Sequence, residues 1–135
     1  MQLTTIVPVL LSSLSLTAAA PQEVPATWKA TDLDIGCSPG GCSWRFNITG
    51  AASENTPRFH THCEGIAPNA TLCTDKNITA RVKPLTYPKF NIWVQHQWHI
   101  IEDETDQHYW QSGDANVTDA QTRFQIKPDQ FYGVA

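Results

Sequence analysis

Ser43-Trp44-Arg45-Phe46-Asn47-Ile48 alternates polar and apolar side chains one by one. On an extended chain successive side chains point to opposite sides. Trp44, Phe46 and Ile48 therefore share one face, and Ser43, Arg45 and Asn47 share the other. Asn77-Ile78-Thr79-Ala80-Arg81-Val82-Lys83 repeats the pattern, with Ile78, Ala80 and Val82 inward. Phe90, Ile92 and Val94 form a third stripe that extends toward Trp98 and Ile100 and leaves Trp93 on the opposite face. Arg123-Phe124-Gln125-Ile126-Lys127 is a fourth strand, and weaker candidates span 27–33, 59–63 and 107–111. Turn-forming residues cluster at 38–41, 50–57, 65–69, 84–88, 102–106 and 112–119. The period is two throughout, and helix signals are nearly absent. This predicts an all-β fold: a small disulfide-stabilised β-sandwich or barrel of about seven antiparallel strands.

The chain opens MQLTTIVPVLLSSLSLTAAAPQ, and its first 20 residues contain no Asp, Glu, Lys or Arg. An apolar middle followed by Ala18, Ala19 and Ala20 is the layout of a secretory signal, although the leading residues carry no Lys or Arg. The apolar stretch is too short and too interrupted to span a bilayer, which takes roughly 18 or more residues. Residues 1–19 are read as a signal peptide and 20–135 as a single secreted β domain. About 115 residues remain after cleavage, a size that fits one domain. The formal charge is −4, from 9 basic and 13 acidic residues. The basic residues are scattered singly, and a nucleic-acid binder would gather them in a patch, so that class is disfavoured. No second apolar segment is long enough to span a membrane.

Four cysteines, Cys37, Cys42, Cys63 and Cys73, all lie beyond the leader. In an exported chain an even number reads as a disulfide framework, here two bridges with three pairings open. The spacing favours the two local loops, because Ser-Pro-Gly-Gly between Cys37 and Cys42 is a turn sequence. Four sequons, at Asn47, Asn69, Asn77 and Asn116, are candidate glycosylation sites. Asn47 and Asn77 fall on the outward faces of their strands, where a glycan must stand.

Five histidines and five tryptophans are the remaining chemistry-bearing residues. His60 and His62 are two apart and share a strand face; with His96 or His108 they offer a zinc- or copper-type donor set. Histidines packed beside aromatics are the commoner outcome, so neither a metal nor any other cofactor is expected. A hydrolase could draw on His60, Glu64, Arg81 and His96, or on the carboxylates Asp32, Asp34 and Glu64, but no nucleophile motif accompanies them. No catalytic residue is assigned. The acidic run 102–106 lacks the glycine and spaced ligands of a calcium loop and reads as a solvated hairpin tip. Most tryptophans belong in the core. Trp93 and Trp110 lie on the faces opposite their neighbours and, with His60 and His62, make the candidate binding surface.

Trp28, the block C-x4-C-S-W-x-F-x-I from Cys37 to Ile48, two further cysteines and P-D-Q-x-Y from Pro128 to Tyr132 form a layout covering most of the mature chain. It resembles a large group of small secreted ascomycete proteins and, more distantly, the hypersensitive-response-inducing elicitors and the Alternaria major-allergen family. The allergen family carries more cysteines, differently spaced. The resemblance implies a compact β-sandwich or barrel, export from a fungus, and recognition by plant tissue or immune receptors; a host protein or cell-wall component is the candidate partner. The expected function is that of a secreted, extracellular fungal effector or elicitor with a role in virulence. The alternatives are an extracellular small-ligand or glycan-binding protein and, behind it, a small secreted hydrolase.

Overall fold

Each alternating stripe in the sequence is the buried side of a strand. The computed structural model describes residues 26–53 and 56–134, so the leader read at 1–19 lies outside the described residues. The strands in chain order are β1 (Trp28–Ser38), β2 (Gly41–Gly50), β3 (Phe59–Ile66), β4 (Ala70–Leu72), β5 (Ile78–Pro84), β6 (Lys89–Glu102), β7 (Thr105–Thr118), β8 (Phe124–Ile126) and β9 (Gln130–Val134). They form two antiparallel sheets, one ordered β3-β2-β1-β8 and the other β9-β7-β6-β5-β4. The sheets do not close on each other. The fold is an open sandwich, and the barrel alternative is set aside.

The described residues contain nine strands, not about seven. The two extra ones left no apolar stripe to read. β4 is three residues long, and every residue of β9 is exposed. The turn expected at 112–119 is also absent, because β7 runs through to Thr118. Ser112 and Gly113 are buried there, and pairing to β6 on one side and β9 on the other overrides their turn preference. Gly113 is required by a close approach. A Cβ at that position would lie 2.8 Å from Ile126 Cγ2 and 2.9 Å from the Lys127 carbonyl oxygen.

The core fills the space between the sheets. From the first sheet come Trp28, Trp44, Phe46, Ile48, Phe59, Phe124 and Ile126; from the second, Ile78, Ala80, Val82, Phe90, Ile92 and Val94. Within the first sheet Trp28 and Phe59 meet edge to face across β2, with ring centres 5.4 Å apart. Gly50 permits this, since a Cβ there would fall 2.4 Å from the Phe59 ring. Burying each such side chain stabilises the fold by about 1.5–3 kcal/mol, so two facing stripes outweigh any single polar contact.

Both disulfides are local. Cys37–Cys42 closes the β1–β2 hairpin, where the two residues are already cross-strand partners. Cys63–Cys73 runs from β3 to the residue after β4 and ties the two sheets together in the buried interior. The loops they close predict that removing Cys37–Cys42 costs about 2 kcal/mol and removing Cys63–Cys73 about 3 kcal/mol. Urea midpoints of the paired Cys→Ala variants check this; the reverse ranking would contradict the inter-sheet role.

His96 takes the position that the Phe90–Val94 stripe reserves for an apolar residue. It is buried between Phe59, 4.7 Å away, and Trp98, 4.9 Å away. Its Nδ1 has no hydrogen-bond partner among the described residues. Burial lowers its pKa to about 4, only partly opposed by the charge of Asp75. In the unfolded chain it takes up a proton near the usual 6.5, so between the two values the unfolded state binds more protons. Stability is therefore full above pH 6.5 and falls as pH drops toward about 4, by about 2–3 kcal/mol from this residue. His96→Leu should flatten that slope in urea titrations across the same range; an unchanged slope would assign the acid sensitivity elsewhere.

Candidate functional site

The strands β6 and β7 are each 14 residues long, and their neighbours are shorter. Strand β5 stops pairing at Ile78 opposite His96, with one further bond from the Gln97 amide to the Asn77 carbonyl. Beyond that point the hairpin projects with only β9 alongside, paired from Gln130–Ser112 to Val134–His108. The tip is a two-residue turn at Asp103 and Glu104, both with positive φ, 50° and 65°. Positive φ at both central positions is the type I′ arrangement that matches the twist of a hairpin. This turn sets the register that places Ile101 opposite Asp106 and His99 opposite His108.

Side chains two apart on a strand, and those directly opposite on its partner, share a face. His99, Asp106 and His108 thus meet on the outer face of the hairpin. His99 Nδ1 donates to Asp106 Oδ1 at 2.8 Å, and His108 Nε2 lies 3.4 Å from Asp106 Oδ2. The hydrogen bond from His99 is the main cause holding the Asp106 carboxyl below its usual range. The two imidazoles stack 5.2 Å apart, His108 stacks on Trp110 at 6.1 Å, and Trp110 stacks on Tyr132 at 5.2 Å. Gln97 Oε1 accepts from Trp110 Nε1 at 3.2 Å. An open groove of about 330 Å³ runs along this row and is also lined by Asn77.

The opposite face of the same projection is aromatic too. Trp98, Tyr109 and Phe131 gather there, with Trp98 and Tyr109 stacked at 5.7 Å. Ile101 is 69% exposed, Phe131 58%, Tyr132 54% and Val134 55%. The end of the hairpin therefore carries large apolar surface on both sides and along the β9 edge.

The residues singled out from the sequence divide between the two sheets. Trp93 and Trp110 share the outer face of the five-stranded sheet, both half-buried, with the Arg81 guanidinium 5.1 Å above the Trp93 ring. His60 and His62 lie on β3, on the outer face of the other sheet, so the four do not form one surface. The same separation corrects the metal set and the hydrolase quartet. His96 is between the sheets, Arg81 and His108 are on the five-stranded outer face, and His60 and Glu64 are on the four-stranded one.

His62 belongs to a different arrangement. A polar relay crosses the four-stranded sheet from Asp32 through Asn47 and His62 to Glu64, with contacts of 3.0, 2.8 and 2.9 Å. Asp32 occupies an irregularity within β1 at φ 58°, held by Asn47. Asp34 is paired with Arg45 at 3.3 Å. The three carboxylates share an open face, and each already has a partner. Of the sequons, Asn69, Asn77 and Asn116 are exposed, while Asn47 is half-buried and engaged at both ends of its amide.

Comparisons with protein-family models, curated proteins and solved structures return no match. No helix among the described residues is long and apolar enough to cross a membrane.

The I′ turn is occupied by two residues with a Cβ, and the left-handed region costs such residues about 1–2 kcal/mol. Glu104→Gly should therefore raise stability by about 0.5–1 kcal/mol after the greater freedom of glycine in the unfolded chain is subtracted. Chemical denaturation measures it. A destabilised variant would mean that Glu104 contributes a contact that outweighs its backbone cost.

Proposed function

We propose that this chain is a secreted extracellular recognition protein of the fungal effector or elicitor kind. It acts by binding a host protein through the projecting end of the β6–β7 hairpin. The observation that carries this reading is the concentration of large exposed apolar side chains there, Ile101, Phe131, Tyr132 and Val134, beside the partly exposed Trp110. Apolar patches with an aromatic centre and a polar rim mark protein-binding surfaces, and tryptophan and tyrosine dominate binding energy at them. His99, His108, Asp106 and Gln97 supply the rim.

Other features support the rest of the reading. Two disulfides and no free cysteine fit an oxidising compartment. The two sheets share one cluster of buried apolar side chains, and the groove along the hairpin is open, which favours surface recognition over catalysis in a cleft. The rings of Trp110 and Tyr132 stack on each other, so those two faces are not free to stack on a flat sugar ring, which fits a protein partner better.

The test is infiltration of the purified disulfide-bonded protein into leaves, beside a Trp110→Ala/Tyr132→Ser variant. The parent should provoke cell death or an immune response. The variant should lose it, since truncating a central aromatic costs about 2–4 kcal/mol of binding. A producer strain lacking the gene should infect less well. Absence of a leaf response together with unaltered infection would remove the proposal, and a fully active variant would remove the assignment to the hairpin end.

A further inference from the structure

We propose that His99, Asp106 and His108 form a binding site for a late first-row divalent cation, of which Cu2+ and Zn2+ are the best matched. This site goes beyond the recognition reading and does not depend on it. One ligand atom from each of the three side chains lies within 4.8 Å of the other two. Ligands about 2.0–2.2 Å from a zinc ion sit a little over 3 Å apart in a tetrahedron, so only small side-chain movements separate this cluster from a closed site. Two contacts are already short, 2.8 Å from His99 Nδ1 to Asp106 and 3.4 Å from His108 Nε2 to Asp106.

The donor set selects the metal class. Two imidazole nitrogens and one carboxylate suit zinc and copper, and copper binds more tightly than zinc at a given nitrogen and oxygen site. Calcium takes six to eight oxygen ligands, and magnesium keeps an octahedral oxygen shell. One carboxylate cannot satisfy either. The remaining coordination positions face solvent, so water completes the shell, as in sites with three protein ligands.

The backbone holds the donors in place. Asp106 and His108 are two apart on β7, and His99 is the direct cross-strand partner of His108. The two imidazole planes are within 10° of parallel, so one ring must turn for both nitrogens to point at a single ion. That turn is open to them, because the His99 and His108 side chains are 55% and 49% exposed. The ion displaces the proton that His99 now shares with Asp106. It then links β6 to β7 at the end that β5 does not reach, and adds positive charge to the row containing Trp110 and Tyr132. An ion that binds only the folded chain also raises its stability by mass action.

The other histidines provide controls. His96 is buried between the sheets, His62 is engaged by Asn47 and Glu64, and His60 is exposed on the far sheet.

The experiment is calorimetric titration of the tag-free, disulfide-bonded protein with ZnCl2, CuCl2 and CaCl2. Histidine ring proton shifts and the thermal midpoint are followed in parallel. We expect one Zn2+ or Cu2+ per chain, no saturation by Ca2+, selective shifts at His99 and His108, and a thermal midpoint that climbs with zinc concentration. Cu2+ should also quench Trp110 fluorescence, because its ring is 6.1 Å from that of His108. His99→Ala and His108→Ala should each weaken binding at least about tenfold, and His60→Ala should leave it unchanged. All these positions are on the surface, and near-ultraviolet circular dichroism confirms that each variant is folded. Absence of saturable zinc and copper binding overturns the site. So does a folded His99→Ala/His108→Ala variant that binds as tightly as the parent, or an equal loss on His60→Ala.

Discussion

Alternating apolar side chains have to be hidden from water, and a single sheet cannot hide its own face. Everything else in this fold follows from the pressing of two such faces together. Trp44, Phe46 and Ile48 on β2 have value only because Ile92 and Val94 on β6 and Ile78 and Val82 on β5 lie across from them. The small residues obey the same demand. Gly50 and Gly113 are glycine because aromatic rings or backbone from another strand occupy the space of a side chain. The Cys63–Cys73 bridge lies inside this contact and covalently limits how far the faces can part.

The same packing explains where the molecule is exposed. Burial follows cover, and β6 and β7 outrun their neighbours in the same sheet. The projecting part keeps the alternation of the strands, with Trp98 buried against His96, Tyr109 and Phe131 on one side and Ile101 exposed on the other. Aromatic residues there cover one another in rows, and polar groups pair along the outer row. The candidate recognition surface and the metal-ligand cluster are both products of this mismatch in strand length.

Much of the architecture was legible in the sequence. Stripes such as Ile78-Ala80-Val82 announce a buried face because burial permits only apolar residues at those positions. β9 announced nothing, since a wholly exposed edge strand has no pattern to enforce. β7 was partly obscured because Ser112, Gly113 and Asp114 look like a turn until β8 and its following residues are laid over them. His96 was hidden in the opposite sense, as a polar residue occupying a core position in an otherwise apolar row. The His99–Asp106–His108 cluster lay further from view. Its three residues meet only if the turn falls at Asp103 and Glu104, and a slip of one residue would put His99 on the face opposite Asp106 and His108. Counting outward from a turn fixed at those two positions would have paired His99 with His108. An acidic run spanning 102–106 does not by itself fix that origin.

Asn77 gives the outer row a second layer of consequence. It lines the same groove as His99, His108 and Trp110, and its sequon places it among the residues a eukaryotic secretory pathway would modify. An oligosaccharide attached there would stand beside the groove, so the presence or absence of the sugar would change what this face presents to a partner. Protein from a bacterial host and protein from a glycosylating host would then be different reagents with the same polypeptide.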